Sequence, residues 1–277
     1  MTGSGPAPLP PRPRRAIAVG AICATRIFQV DSIPPPPAKV LAKRLVQVVD
    51  GMALSAACAF ARLGGEAAIW ARCGDDAQGA ASRATLEAEG IDVDGLHVVP
   101  GSASSQATVI VDARGERLVI PFHDPAVDRS PHWLPLDRIA QVDIVMCDVR
   151  WLEGAFAALH AARSAGVPGM LDGDTAPHEV LQALVPLASH AVFSDAGLLS
   201  YTGADSVEEG LRHVAGQHTG HIGASCGADG YVWIEAGRIH RVPAPSVDVV
   251  DTLAAGDVFH GAFALALTEG RSTAEAA

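Results

Sequence analysis

The sequence predicts an α/β fold, a doubly wound and mostly parallel sheet with a small β lid, and three observations lead to this expectation. From Val142 onward, short apolar runs of strand length alternate with stretches of helical length. Such alternation is typical of a parallel sheet with helices on both faces. Two hairpin-like stretches, near 24–49 and 104–123, interrupt the alternation in the N-terminal half. The chain has 277 residues, 49% hydrophobic and 18% charged, which is enough for one large domain with an ample core.

The N-terminal half supplies the first strands and the lid. Residues 1–15 are rich in proline and arginine and are expected to form a disordered tail, so that the domain covers 16–277 with lid segments 24–49 and 104–123. An apolar run over 16–23 predicts a buried strand, and 40–49 predicts a half-exposed one. Gly51 then opens an alanine-rich helix to residue 63, ended by a pair of glycines. A strand over 67–71, a helix over 75–89 and a hairpin over 106–122 follow.

The C-terminal half alternates regularly. Strands are predicted at 144–147, 167–171, 191–193 and 221–225, and helices at 153–164, 178–186 and 207–217. Parallel strands end at one edge of a sheet, and ligands of open α/β sheets bind at that edge. Residues that follow these strands are therefore candidates for a site.

Composition narrows the classes of partner. The net charge of −11 argues against nucleic acid or an anionic membrane surface as a partner. Five scattered cysteines without a Cys-x-x-Cys motif indicate buried thiols in a reducing cytoplasm. No apolar run reaches about 18 residues, so we expect no transmembrane helix and a cytoplasmic protein. The histidines show no helical spacing beside carboxylates, so no protein metal site is predicted.

The most informative stretch covers 249–263. Ala254, Ala255 and Gly256 place no bulk in front of their backbone N–H groups, and a helix is predicted from about Gly256. The N-terminus of a helix is a favourable site for phosphate. Asp257 stands in the first turn, where it is either a general base for a bound substrate or a residue that stabilises the helix start. The residues alone leave both interpretations open.

The run Asp251-Thr252-x-Ala-Ala-Gly-Asp-x-Phe resembles the C-terminal signature of the ribokinase-like (PfkB) carbohydrate kinases, and the resemblance extends over 17–270. It implies a kinase that uses ATP and Mg²⁺ to phosphorylate a sugar hydroxyl. In that family the turn at Ala254, Ala255 and Gly256 forms an anion hole for the transferred phosphoryl group, and Asp257 takes the proton from the sugar. Thr252 is then expected beside the nucleotide.

The nucleotide side departs from the family pattern. Ser194 and Gly197 stand where the family usually has Asn-x-x-Glu, a pair that helps to organise magnesium and phosphate. Asp195 is either a substitute for the missing glutamate or a helix cap, and the cap is the favoured interpretation. By the same resemblance, ATP is expected along Ser194, Ser225, Gly227 and Gly230. A plain hairpin turn explains the Gly227 to Gly230 spacing about as well.

The sugar side departs further. Thr25 stands where the family usually has an aspartate that binds sugar hydroxyls, and Asp50-Gly51 replaces a pair of glycines. Asp50 either supplies the missing carboxylate or caps the following helix, and the cap is slightly favoured. Arg150 follows a predicted strand and is a candidate ligand for an anionic group. A surface ion pair with Asp148 or Glu153 is an equal alternative.

The stretches 148–151 and 171–174 look most like those of the sulfofructose kinases of this family. In these enzymes a lid lysine, here Lys39, and the arginine, here Arg150, help to bind the sulfonate. The resemblance therefore implies an anionic ketose, such as sulfofructose or a sugar phosphate, as the acceptor. A nucleoside kinase of the same fold and a non-catalytic binding relative are the alternatives. A homodimer formed through the lid is a further expectation.

Overall fold

Nine strands form the main sheet in this computed structural model, which describes residues 12–249 and 252–277. Seven neighbouring strands run parallel, and the last two are antiparallel additions at one edge. Numbered in chain order, the strands are β1 (Arg15–Val19), β4 (Glu66–Gly74), β5 (Leu96–Val99), β8 (Ile144–Cys147), β9 (Gly169–Gly173), β10 (His190–Ser194), β11 (His221–Ser225), β12 (Tyr231–Glu235) and β13 (Arg238–Val242). Their order across the sheet is β13-β12-β11-β10-β9-β8-β1-β4-β5.

Helices cover both faces of this sheet. They are α1 (Met52–Arg62), α2 (Ala77–Ala88), α3 (Leu152–Ala165), α4 (His178–Leu184), α5 (Asp195–Thr202), α6 (Val207–Ala215), α7 (Ala255–Thr268) and α8 (Thr273–Ala276). Apolar residues of α1, α2 and α7 form one core with the sheet, and those of α3 to α6 form the other. The central strands therefore carry apolar residues on both faces: in β1, Ala16 and Ala18 face the first core, and Ile17 and Val19 face the second.

Small residues let α7 lie directly on α1. A Cβ on Gly261 would come within 2.2 Å of the carbonyl oxygen of Ala56, so the two helix backbones approach too closely for any larger residue. This contact fixes α7 over the sheet. The alanines that predicted the helix at Gly51 thus also provide the surface on which the second helix packs.

The lid is a four-stranded sheet in the order β3-β2-β6-β7. Its strands are β2 (Cys23–Gln29), β3 (Arg44–Asp50), β6 (Gln106–Val111) and β7 (Arg117–Phe122). Strands β2 and β3 pair antiparallel, as do β6 and β7, whereas β2 and β6 are parallel. Every residue of β7 is exposed, including several large apolar side chains.

The predicted fold class is confirmed, with differences in detail. The apolar run predicted as one strand over 16–23 is divided between two sheets: β1 ends at Val19 and β2 begins at Cys23. Gly20 makes the break, since its φ of +153° and the nearby Asp148 carboxylate exclude a side chain there. The short strand β5 and the hairpin β12–β13 were not predicted.

Part of the N-terminal tail and part of the kinase-like signature at 251–259 are not among the residues that the structure describes. Residues 1–11 of the predicted tail and residues 250–251 of the signature lie outside the described residues. Arg12 forms two hydrogen bonds with Asp143, and Arg15 begins β1 just before the predicted domain boundary. All five cysteines are free thiols. Within 12–249 and 252–277, the helices are too short or too polar to cross a bilayer.

Candidate active site

The start of α7 is exposed to solvent. Ala254, the residue before the helix, is left-handed, with φ 57° and ψ 12°. The first N–H groups of any helix have no acceptor within it, and here Ala255 and Gly256 are exposed. A Cβ built on Gly256 would meet no atom within 4 Å. The helix start therefore has the room and the N–H donors that an anion requires.

Asp257 projects from this first turn and is half-buried. The pKa of its carboxyl is raised to about 6, chiefly by burial and also by the negative charges of Asp148, Asp174 and Asp50. The positive charge of His260 opposes them. A carboxylate with a pKa near 6 is still mostly ionised at neutral pH and is a stronger base than an ordinary one. The geometry thus gives Asp257 the properties of a general base.

Asp148 lies below the site and is almost completely buried, at 1% exposed. Its Oδ2 accepts hydrogen bonds from the backbone N–H groups of Ala21 (2.7 Å) and Ala53 (3.1 Å), and its Oδ1 accepts from that of Arg150 (2.8 Å). Burial raises the pKa of this carboxyl while the three donors lower it. One side chain therefore joins the end of β1, the start of α1 and the chain that follows β8.

A buried histidine and a buried aspartate join the inner face of α7 to the sheet. His260 is 3% exposed, and its Nδ1 is 3.4 Å from Oδ2 of Asp172, the buried residue near the end of β9. Burial raises the pKa of the Asp172 carboxyl to about 7, although the charge of His260 lowers it. Asp172 and His260 connect α7 to the sheet one turn beyond Asp257.

On the sugar side, the structure brings Thr25 and Asp50 together. The buried Thr25 hydroxyl on β2 donates a hydrogen bond of 2.7 Å to Oδ1 of Asp50 at the end of β3. Burial raises the pKa of the Asp50 carboxyl, and the bond from Thr25 lowers it. The favoured prediction that Asp50 caps α1 is wrong. Gly51 occupies the N-cap position with φ 128°, and no side chain caps the helix.

Arg150 has a different partner from those expected. Its guanidinium donates to Oδ2 of Asp174 (2.6 Å) and to the carbonyl oxygen of Thr175 (2.9 Å). Neither predicted alternative, Asp148 or Glu153, forms an ion pair with this guanidinium, although its charge lowers the pKa of the Asp148 carboxyl. Asp174 in turn accepts a hydrogen bond of 3.1 Å from the hydroxyl of Ser194. Arg150, Asp174 and Ser194 therefore form one connected polar group at the ends of β9 and β10.

The departure from Asn-x-x-Glu has a structural cause. Ser194 is the N-cap of α5 and accepts a hydrogen bond of 2.9 Å from the N–H of Gly197, so the predicted cap at Asp195 is wrong. A Cβ on Gly197 would lie 2.1 Å from the carbonyl oxygen of Gly173. No side chain fits at this position unless the end of β9 moves. The carboxylate that contacts Ser194 is that of Asp174.

Ser225 ends β11 directly beside Ser194, its register partner on β10. The chain then turns through Gly227 to Gly230, both with positive φ, and returns antiparallel as β12. The glycine pair thus forms the connection of a hairpin, the alternative that its spacing left open. Gly227 is exposed at the same edge of the sheet as Ser194, so its expected place beside a nucleotide stays a prediction.

Two further predicted residues belong to the loops around the site. Thr252, just before α7, accepts a hydrogen bond of 3.1 Å from Arg117 on the lid strand β7, which links the lid to the helix start. Lys39 is exposed in the loop between β2 and β3. Thr252 is therefore tied to the site, whereas no contact in the structure brings Lys39 to Arg150.

Sequence reasoning gives the supporting groups no individual role. Asp148 enters it as a possible ion-pair partner of Arg150, and Asp172 only within the stretch 171–174. His260 is expected to pack against the site or support it, one helical turn after Asp257. A signal was present, because Asp148 directly follows β8 and Asp172 lies in the last part of β9. Aspartates at the carboxyl ends of adjacent parallel strands converge at one edge of the sheet. His260 carried a weaker signal, its spacing of one helical turn after Asp257.

Residues 12–249 and 252–277 contain no cluster of three or more histidine, cysteine or acidic side chains arranged to hold a metal. Magnesium in kinases is bound mainly by substrate phosphates and water, with one or two protein ligands at most. The open helix start therefore fits a magnesium–nucleotide complex without a metal cage of its own.

Comparison with known proteins agrees with this geometry. The profile of the pfkB family carbohydrate kinases matches residues 14–277. The chain is 28% identical over 267 residues to an ATP-dependent ribose-1-phosphate kinase of Halopiger xanaduensis, covering 92% of this chain and 86% of that one. It is 26% identical over 232 residues to a fructokinase of Vibrio alginolyticus, covering 78% and 76% of the two chains.

Solved structures show the same fold. A ribokinase candidate from Agrobacterium tumefaciens superimposes with a TM-score of 0.91 at 40% identity, covering 96% of this chain and 88% of that one. The Arabidopsis thaliana ribokinase complexed with ribose and ATP gives a TM-score of 0.80 at 22% identity, covering 95% and 88%. The fold is ribokinase-like. The chain therefore belongs to the pfkB family of carbohydrate kinases, phosphotransferases that act on a sugar hydroxyl.

Proposed function

We propose that this chain phosphorylates a sugar hydroxyl with ATP and Mg²⁺, with Asp257 as the general base. The observation that carries the proposal is the combination at the start of α7. A carboxyl whose pKa is raised to about 6 lies in the same helical turn as exposed N–H groups with open space before them. A base and an anion site within one turn are what transfer of a phosphoryl group to an alcohol requires.

In the proposed reaction, Asp257 accepts the proton of the sugar hydroxyl as its oxygen forms a bond to the γ-phosphorus of ATP. The bond from that phosphorus to the β–γ bridging oxygen breaks, and ADP leaves. The N–H groups of Ala255, Gly256 and Asp257 stabilise the charge on the transferring group. Bound magnesium would supply further charge neutralisation at the transferring phosphoryl group. Ser194, Ser225, Gly227 and Gly230 are proposed to lie along the nucleotide.

For the sugar, the proposal places Asp50 and Gly51 beside the acceptor. Thr25 donates to Oδ1 of Asp50, which fixes the carboxylate and leaves Oδ2 to accept from a sugar hydroxyl. The carboxylate expected at Thr25 on β2 is thus replaced by one from the adjacent strand. The experiment is Asp50→Asn, with Asp31→Asn in the exposed β2–β3 loop as the matched control. We expect a higher KM for the sugar, with KM for ATP unchanged, only in the first variant.

The charge of the acceptor is the second part of the proposal. The anionic ketose expected from the sulfofructose kinases depends on Arg150 and Lys39. Arg150 is already paired with Asp174, and Asp50 adds negative charge to the same field that acts on Asp257. A neutral sugar or nucleoside avoids the repulsion that an added sulfonate or phosphate would meet, and therefore suits the site better.

A single panel tests this choice. Release of ADP would be measured with neutral pentoses and hexoses, their phosphates and sulfonates, and adenosine. We expect the best kcat/KM with a neutral acceptor. A sulfonated or phosphorylated ketose that outperforms its neutral counterpart would contradict this expectation. In that case Arg150→Ala should raise KM for the anionic sugar roughly 10–100-fold, whereas Arg163→Ala, on the surface of α3, should not change it.

The lid is proposed to mediate a homodimer. Leu118, Val119, Ile120 and Phe122 on β7 are each about half-exposed, an unusual run of apolar surface on an edge strand. Ile120→Lys should convert the dimer into monomers in size-exclusion chromatography with light scattering. Val98→Lys, a comparably exposed site on β5 of the main sheet, should not. A monomeric wild-type protein would refute this part of the proposal.

A further inference from the structure

His260 makes an unusual pair of contacts in the interior beneath the catalytic helix. Its Nδ1 is 2.8 Å from the carbonyl oxygen of Gly256, and its Nε2 is 3.1 Å from the carbonyl oxygen of Val192 on β10. Carbonyl oxygens only accept hydrogen bonds. A neutral imidazole has one nitrogen that can only accept, so it would direct a lone pair at one of the two oxygens. Both contacts are satisfied only if both ring nitrogens carry a proton.

A buried cation requires a counter-charge. Asp172 provides one, since its Oδ2 lies 3.4 Å from Nδ1 of His260 and both side chains are buried. The helix itself does not favour a cation at this place, because the N-terminal turns carry positive partial charge. A positive charge on His260 is therefore stabilised by carboxylates of neighbouring elements and not by the dipole of α7.

The charges that act on Asp172 and Asp257 come from several neighbouring elements. Asp148 and Asp174, from the chain after β8 and β9, act on both carboxyls, and Asp50 from β3 acts on Asp257. His260 is the positive charge that acts on both. The thiol of Cys147 on β8 lines the same buried cavity as Asp148, Asp172 and His260. Without His260, ionised Asp257 would be surrounded by like charge in a half-buried site.

We propose that His260 is a positioning residue held as a buried imidazolium, and that its charge keeps Asp257 ionised so that Asp257 can accept a proton. The inference rests on the proposed function in so far as Asp257 is the base. His260 touches neither sugar nor nucleotide. It acts through the field at Asp257 and through its hydrogen bond to Gly256, which fixes the backbone of the anion-binding turn.

The first measurement needs no catalysis. In the wild-type protein, nitrogen NMR of the imidazole at pH 8 should show both nitrogens of His260 protonated. Carbon NMR titration of the Asp257 carboxyl should then give a higher pKa in His260→Gln than in wild type, by about one unit. A neutral imidazole at pH 8, or an unchanged Asp257 pKa in a folded variant, would overturn the proposal. If His260→Gln does not fold, the state of the wild-type imidazole decides.

The second measurement uses the acid limb of kcat/KM. It should move to higher pH in His260→Gln, because that variant loses the positive charge that lowers the pKa of Asp257. A packing role would instead lower kcat at all pH values without moving the limb. If Asp257→Asn remains active, the proposed base is wrong. The NMR measurement still decides independently whether His260 is an imidazolium.

Discussion

Lowering the pH should stop catalysis at a point set by Asp257. Burial raises the pKa of this carboxyl from 3.8 to about 6, and a base works only when ionised, so activity should be present above this value and lost as the pH falls through it. The ionised fraction is about nine-tenths at pH 7 and about one-tenth at pH 5. We therefore expect kcat/KM for the sugar to fall roughly tenfold between these pH values. A carboxyl with an ordinary pKa would remain more than about nine-tenths ionised at pH 5.

The assay is steady-state kinetics from pH 4.5 to 9 at constant ionic strength and saturating Mg-ATP, with circular dichroism at each pH to show that the protein stays folded. Asp257→Asn should lose about 10²–10⁴ in kcat, and its residual rate should show no acid limb. The reasoning would be refuted by a wild-type limb near pH 4. It would equally be refuted by an Asp257→Asn variant that keeps more than half of the wild-type kcat.

Three other perturbations test the surroundings of the site. Gly20→Ala would place a Cβ about 2 Å from the Asp148 carboxylate, so the free energy of unfolding in urea should fall by about 2–3 kcal/mol; an unchanged value would contradict the close packing. Gly197→Glu, which restores the family's residue type, should lower Tm by about 5 °C because of the contact with Gly173, and a gain in activity at constant Tm would count against this. Burial lowers the pKa of His221 to about 4, so its contribution to stability is complete above pH 6.5 and should be lost, by about 3 kcal/mol, as the pH falls toward 4. His221→Gln should remove this part of the pH dependence. Identical plots of the free energy of unfolding against pH for the two proteins would refute this prediction.

The predictable part of the fold is the part encoded by local pattern. The strands at 144–147 and 221–225 have the predicted bounds. The first is an apolar run between Asp143 and Asp148, and the second has an apolar middle between His221 and Ser225. The helix opened by Gly51 is equally local, because small residues and terminal glycines mark both of its ends. By contrast, the run over 16–23 carries no local sign that Gly20 must pass beside Asp148 and send the chain into another sheet.

The candidate site was predictable only where its functional groups lie within one helical turn of each other in the sequence. The start of α7, with Asp257, is such a case. The partners of Asp50 and Arg150 are not, because Thr25 and Asp174 reach them across strands whose neighbours the sequence does not specify. For the same reason the sequence suggests that a functional side chain has been lost at Gly197. In the structure, the backbone of an adjacent strand occupies the space that such a side chain would need.

The Asp148 carboxylate also bears on the order in which the molecule assembles. Its bonds to the N–H groups of Ala21 and Ala53 close loops of 127 and 95 residues, so the floor of the site cannot form from the N-terminal half alone. Contacts of such sequence separation are slow to form because the entropy of loop closure must be met first. During synthesis, the end of β1 and the start of α1 therefore cannot form their hydrogen bonds to Asp148 until the chain beyond residue 150 has been made.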